Sequence, residues 1–133
     1  MTGAAGSARL RLPATARLRS GRDFQRVYQR GQRAAGALLT VVALRSRSAR
    51  GSRVGVSVSK DHGGAVRRNK LKRLLREAFR MERHRLPAGL DLVLIPRQRD
   101  ERFPLAALRA ELVMLVQRAL GSGGDERRPR RQP

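Results

Sequence analysis

From Val66 to Arg85 the sequence runs VRRNKLKRLLREAFRMERHR, and no other stretch restricts the architecture as tightly. Nine of its residues are basic (Arg67, Arg68, Lys70, Lys72, Arg73, Arg76, Arg80, Arg83, Arg85) and two, Glu77 and Glu82, are acidic. Leu71, Leu74, Leu75 and Ala78 recur at helical spacing, with Phe79 and Met81 at the rim. At about 100° per residue they make one face to be buried. Asn69, Lys72, Arg73, Arg76, Arg80 and Arg83 share an arc of roughly 100° on the opposite side. Surface helices ordinarily mix charge signs at i,i+4, whereas Lys72, Arg76 and Arg80 form a like-charge ladder that costs stability unless an anion spans it. A fold that accepts this helix covers one wall with a core and turns the other toward a polyanion.

Net charge narrows the polyanion. The 133 residues carry a formal charge of +21 with a pI near 12.0, a balance suited to nucleic acid or an anionic membrane surface. No apolar run approaches the roughly 20 residues of a spanning helix, and the N-terminus lacks the charged-then-apolar pattern of a secretory signal. The expected partner is therefore nucleic acid, with no membrane role, and the expected location cytoplasmic. Of the 31 basic residues only Lys60, Lys70 and Lys72 are lysine. Arginine gives planar, bidentate phosphate contacts, although GC-rich codon usage accounts for much of the excess. The absence of cysteine excludes disulfides and thiolate metal sites.

Taken in order, residues 1–13 read as a flexible basic arm, 14–120 as one RNA-binding α/β domain and 121–133 as a disordered basic tail. Ser20-Gly21-Arg22-Asp23 reads as a capping box opening a short helix, with Gly31 as its C′ stop. Phe24, Val27 and Tyr28 follow at i, i+3, i+4, interleaved with Arg22, Arg26 and Arg30. The two aromatics fit either a core face or a platform on which single-stranded bases stack. Ala37–Leu44 reads as an apolar strand. Arg53–Ser59 alternates with Val54, Val56 and Val58 inward, leaving a smooth face of Gly55, Ser57 and Ser59 open to close approach or to a covering helix. Asp61 and His62 read as a solvated loop. Leu90–Ile95 is a buried strand, which completes a βαβ unit with 53–59 and the basic helix. Pro104 at N1 opens a last helix ended by Gly121. The ten acids are scattered and His62 and His84 isolated. Neither a two-metal carboxylate cluster nor an acid–base pair is expected, and so no catalytic side chain and no metal site.

VGVSVSK (Val54–Lys60), a Gly-containing loop and AVRRNKLKRLLREAFR (Ala65–Arg80) together resemble the protein subunit of bacterial ribonuclease P. Asp23-Phe24-Gln25-Arg26-Val27-Tyr28 is similar to that family's first helix, and the resemblance spans Arg17 to Leu120. It implies a single-domain α/β (α+β) sandwich of order αβββαβα with a central mixed sheet. A left-handed βαβ crossover around the basic helix and a short extra strand near Arg33–Gly36 are also implied. It implies the accessory subunit of a tRNA 5′-maturation endoribonuclease, whose RNA subunit carries the chemistry with Mg²⁺. By the same resemblance Arg67, Arg68, Asn69, Lys70, Lys72, Arg73, Arg76 and Arg80 would meet the catalytic RNA. Phe24, Tyr28, Arg17, Ser57, Ser59 and Lys60 would line a groove for the precursor-tRNA leader. The protein is then expected as a monomer, one to one with the RNA. Two positions depart from the family pattern. Lys70 replaces an arginine, keeping charge but losing the fork, and Val42 stands where an aromatic on the central strand is expected. The rival readings are a ribosomal assembly protein, which needs no aromatic groove, and a self-sufficient basic nuclease, which needs no RNA.

Overall fold

The computed structural model describes residues 12–46, 51–97 and 104–125, with side chains to residue 121 in the last segment. The arm before residue 12, the connections 47–50 and 98–103 and the tail from residue 126 lie outside the described residues.

Seven elements follow in the order αβββαβα: α1 (Gly21–Arg30), β1 (Gln32–Ala35), β2 (Leu39–Arg45), β3 (Arg53–Val56), α2 (Ala65–Glu82), β4 (Leu90–Pro96) and α3 (Leu105–Asp125). They form one mixed sheet in the order β1-β2-β4-β3, with β4 antiparallel to β2 and parallel to β3. β4 is central and buried along most of its length, and apart from Asp91 its LDLVLI run is apolar on both faces for that reason.

The two faces of the sheet bury separate clusters. Leu39, Val41, Ala43, Val54, Val56, Leu92 and Leu94 point to one side, where α2 supplies Leu71, Leu75, Ala78 and Phe79 and α3 supplies Leu108, Leu112, Leu115 and Val116. Val42 and Val93 point to the other, where α1 supplies Val27 and the chain before it Leu18. Alternation along β2 and β4 therefore assigns α1 to one face and the basic helix to the opposite one.

Several local expectations shift. Phe79 is not at the rim but fully buried and among the largest enclosed side chains. Glu82, on the same stripe, is buried too, its carboxylate accepting from Arg109 Nε on α3 with Arg85 3.6 Å away. The Ser20 hydroxyl does cap α1, accepting from Asp23 N at 3.0 Å. Asp23 does not reach back, however; its carboxylate lies 3.2 Å from Arg26 and 3.7 Å from Arg53. Gly31 stops the helix in extended backbone, φ −77°, with no left-handed cap. The alternating 53–59 run pairs as strand only to Val56, and α3 runs through Gly121 to Asp125. His62 is buried inside a 3-10 turn, Lys60–His62, and is no solvated loop residue. Leu12, assigned to the flexible arm, packs into the larger cluster.

Candidate RNA interface

Strand register turns the α1 side of the sheet into three rows. Leu44, Asp91 and Arg53 form the first, Arg33, Val42, Val93 and Gly55 the second, and Ala35, Thr40 and Ile95 the third. Ser57 lies two residues beyond Gly55 on the same side, its amide donating to Leu94 O at 3.0 Å. Helix α1 occupies the first two rows. Phe24 lies on Gly55, where an ideal Cβ would come within 2.5 Å of the ring's Cζ, so no larger residue fits beneath it. Tyr28 sits 6.3 Å from Phe24 between ring centroids, and the Arg33 guanidinium stands 5.8 Å over the Tyr28 ring. Both rings are half-buried. The third row stays half-open, with Ala35 exposed and Thr40, Ile95 and Ser57 half-buried.

The core reading of the aromatics holds in part: Phe24 and Tyr28 pack against the Leu18–Val27–Val42–Val93 cluster while each stays half-buried. The smooth Gly55–Ser57 face is likewise shared, with a helix over Gly55 and open surface past Ser57. Val42 is fully buried under α1, so that position offers no stacking surface here; Thr40 is the β2 residue on the open row.

Asp91 is the feature that sequence reasoning missed. Its carboxylate is 1% exposed and is held by Arg26 Nη2 at 3.1 Å and by Arg53 Nε and Nη2 at 3.0 and 2.9 Å. The Arg53 pKa is raised, first by the Asp91 hydrogen bond against the opposing cost of burial. A lone aspartate inside LDLVLI was the available signal, since a buried charge needs partners.

On the other side of the molecule, α2 begins after Gly63, whose φ of +113° demands glycine, with Gly64 as N-cap. Arg67, Asn69, Lys70 and Arg73 are exposed, and Arg68, Lys72, Arg76 and Arg80 half-buried. Arg68 Nε donates to Gly63 O at 3.1 Å, which spends one donor of its fork on the turn. Arg80 departs from the expected ladder. Glu77 accepts from its Nε at 2.8 Å and Nη2 at 2.6 Å, a bidentate pair that neutralises it. Arg76 has the opposite setting, its pKa lowered by burial first and then by the charge of Arg17.

Of the residues expected along the groove, Ser59 and Lys60 are exposed at the end of the 53–59 run. Arg17 is also exposed, on a segment that bridges in parallel to Val54 beside β3. The electrostatic proximity of Arg17 to Arg76 joins the two candidate surfaces at that edge. Among the described residues no three His, Asp or Glu side chains converge on a possible metal position. No described helix is long and apolar enough to cross a membrane.

An aromatic-edged strip on one face and an arginine-rich helix on the other define an RNA-binding α+β protein. Comparison with known proteins makes the class specific. A family model described as Ribonuclease P matches residues 12–120. The ribonuclease P protein component of Brevibacillus brevis is 40% identical over 103 residues, covering 77% of this chain and 82% of that protein. That of Thermotoga maritima is 38% identical over 109 residues, covering 79% and 92%. The solved ribonuclease P protein of Thermotoga maritima superposes with a TM-score of 0.68 at 35% identity, over 77% of this chain and 96% of that one. The Staphylococcus aureus protein gives 0.67 at 31%, over 78% and 94%. The chain belongs to the ribonuclease P protein family. It is the protein component of an RNA–protein endoribonuclease that processes the 5′ leader of precursor tRNA, and its partners are the ribonuclease P RNA and that precursor.

Proposed function

We propose that the half-open strip beside Phe24 and Tyr28 holds the single-stranded leader, while the exposed arc of α2 docks on the catalytic RNA. The observation that carries this division is the assignment of α1 and α2 to opposite faces of one sheet. Leader bases stack on the edges of Phe24 and Tyr28 over a floor of Ser57, Ile95 and Thr40, with Ser59, Lys60 and Arg17 supplying polar and cationic contacts at its end. Arg67, Arg68, Asn69, Lys70, Lys72, Arg73 and Arg76 face the RNA subunit, with Arg80 contributing less because Glu77 already holds it. Mg²⁺ is used by the RNA subunit, as the family resemblance implies. The protein works in the cytoplasm as a monomer, one to one with its RNA, and its own contribution is to bind and orient.

The test is reconstitution. Protein alone leaves precursor tRNA uncut, and protein with its RNA restores 5′ cleavage at low Mg²⁺. In that holoenzyme Tyr28→Ala weakens affinity for leader-bearing substrate by about fivefold or more, the cost of one base–aromatic stack, and leaves mature tRNA unaffected. Equal weakening toward both substrates would mean that α1 is only core or an RNA-subunit contact.

A further inference from the structure

Arg26 and Arg53 are two arginines that the charge count assigns to RNA and the structure withholds from it. Both converge on the buried Asp91 carboxylate, and Asp23 closes the network from the first turn of α1. The four residues come from three elements: α1 (Asp23, Arg26), β3 (Arg53) and β4 (Asp91). Arg26 is two residues from both Phe24 and Tyr28, so its link to Asp91 fixes the rotation of α1 about its own axis, and with it where both rings stand over the sheet. Apart from Arg33 over the Tyr28 ring, the other described sheet contacts of α1 are apolar: Val27 on Val42 and Val93, and Phe24 on Gly55. Such contacts hold a helix down without specifying its rotation as sharply as a directional pair does. A strip bounded on one side by a ten-residue helix changes width whenever that helix rolls.

We propose that Asp91, acting through Arg26 and Arg53, is a positioning residue that sets the width of the leader strip by fixing the seat of α1. The inference rests on the groove reading above. It predicts that Arg26 contributes to leader recognition without touching a phosphate.

The experiment uses holoenzyme reconstituted with its RNA and compares binding of leader-bearing precursor tRNA with leaderless tRNA over a salt series. Arg26→Gln is the primary variant, because Arg53 still satisfies Asp91 and the fold is retained. Discrimination in favour of the leader falls by about fivefold, as for one misplaced stack, while the dependence of log K on log salt is unchanged. In a Tyr28→Ala background Arg26→Gln has a smaller effect than on its own, since one of the two rings it places is gone. Asp91→Asn, checked for folding by its thermal transition, behaves in the same way.

A salt slope reduced by about one would make Arg26 a phosphate contact and overturn the proposal. An additive loss in the Tyr28→Ala background would make the network merely structural and overturn it too. Unchanged discrimination in Arg26→Gln, with Tyr28→Ala still impaired, would overturn the positioning role and spare the groove. If Tyr28→Ala itself left discrimination intact, the groove reading would fall and the proposal with it.

Discussion

Arginines that look alike in the sequence have unlike jobs. Arg76 is half-buried, with its pKa lowered by burial and by the charge of Arg17, Arg80 is clamped by Glu77, and Arg26 and Arg53 serve Asp91. The salt dependence of assembly with the RNA subunit separates the first two. Arg76→Ala lowers the slope by roughly one counterion, whereas Arg80→Ala leaves it nearly unchanged and Glu77→Gln, by freeing Arg80, raises it. Equal slopes for Arg76→Ala and Arg80→Ala would show that the Glu77 pair opens on binding. The pH dependence has a definite sign. Hydrogen bonding from Arg80 holds the Glu77 carboxyl below the usual carboxylate range. What the pair adds to stability is present above the unfolded pKa and lost as pH falls through the lowered folded value. Protonation of Glu77 in that acid window frees Arg80 from the pair.

At the scale of elements, α2 depends on α3. Its buried stripe ends in Glu82, which Arg109 reaches from the last helix. Arg109→Ala leaves that carboxylate enclosed with its principal donor gone and lowers stability by about 1–3 kcal/mol, read as a lower denaturation midpoint at constant m. Replacing Glu82 and Arg109 together by leucine recovers most of the loss, since an apolar pair needs no partner. Elements with a strong period of their own are legible in the sequence: α2 from its leucines, β4 from its apolar run, α1 from its serine cap. β1 is not, because Gln32-Arg33-Ala34-Ala35 has neither alternation nor branching and becomes strand only through its ladder with β2. The resemblance supplied that strand where periodicity could not. The Asp91 network was illegible for a related reason: its partners lie 65 and 38 residues away, and no local window contains them. The half-open row of Ala35, Thr40 and Ile95 depends likewise on strand register. Phe79 was misplaced because a helical wheel gives direction without the depth that α3 adds over it.

For the whole molecule, a charge of +21 on 133 residues opposes compaction, and any anion that binds the native clusters stabilises the fold by mass action. Sulfate or phosphate at low millimolar concentration raises the thermal midpoint more than chloride at equal ionic strength. An equal rise with chloride would indicate screening alone. The strand order carries a consequence for how the chain is made. β4 lies between β2 and β3 and is the only strand joining them, yet it is synthesised last of the four, after the whole of α2. Until β4 has left the ribosomal exit tunnel, β2 and β3 have no strand to bridge them, and the most basic helix emerges ahead of it. A nascent chain is therefore a sticky polycation before it is a folded protein, amid abundant ribosomal RNA. Arrival of the central strand turns that general stickiness into a shaped surface, so the moment of folding is also the moment at which the protein acquires selectivity among RNAs.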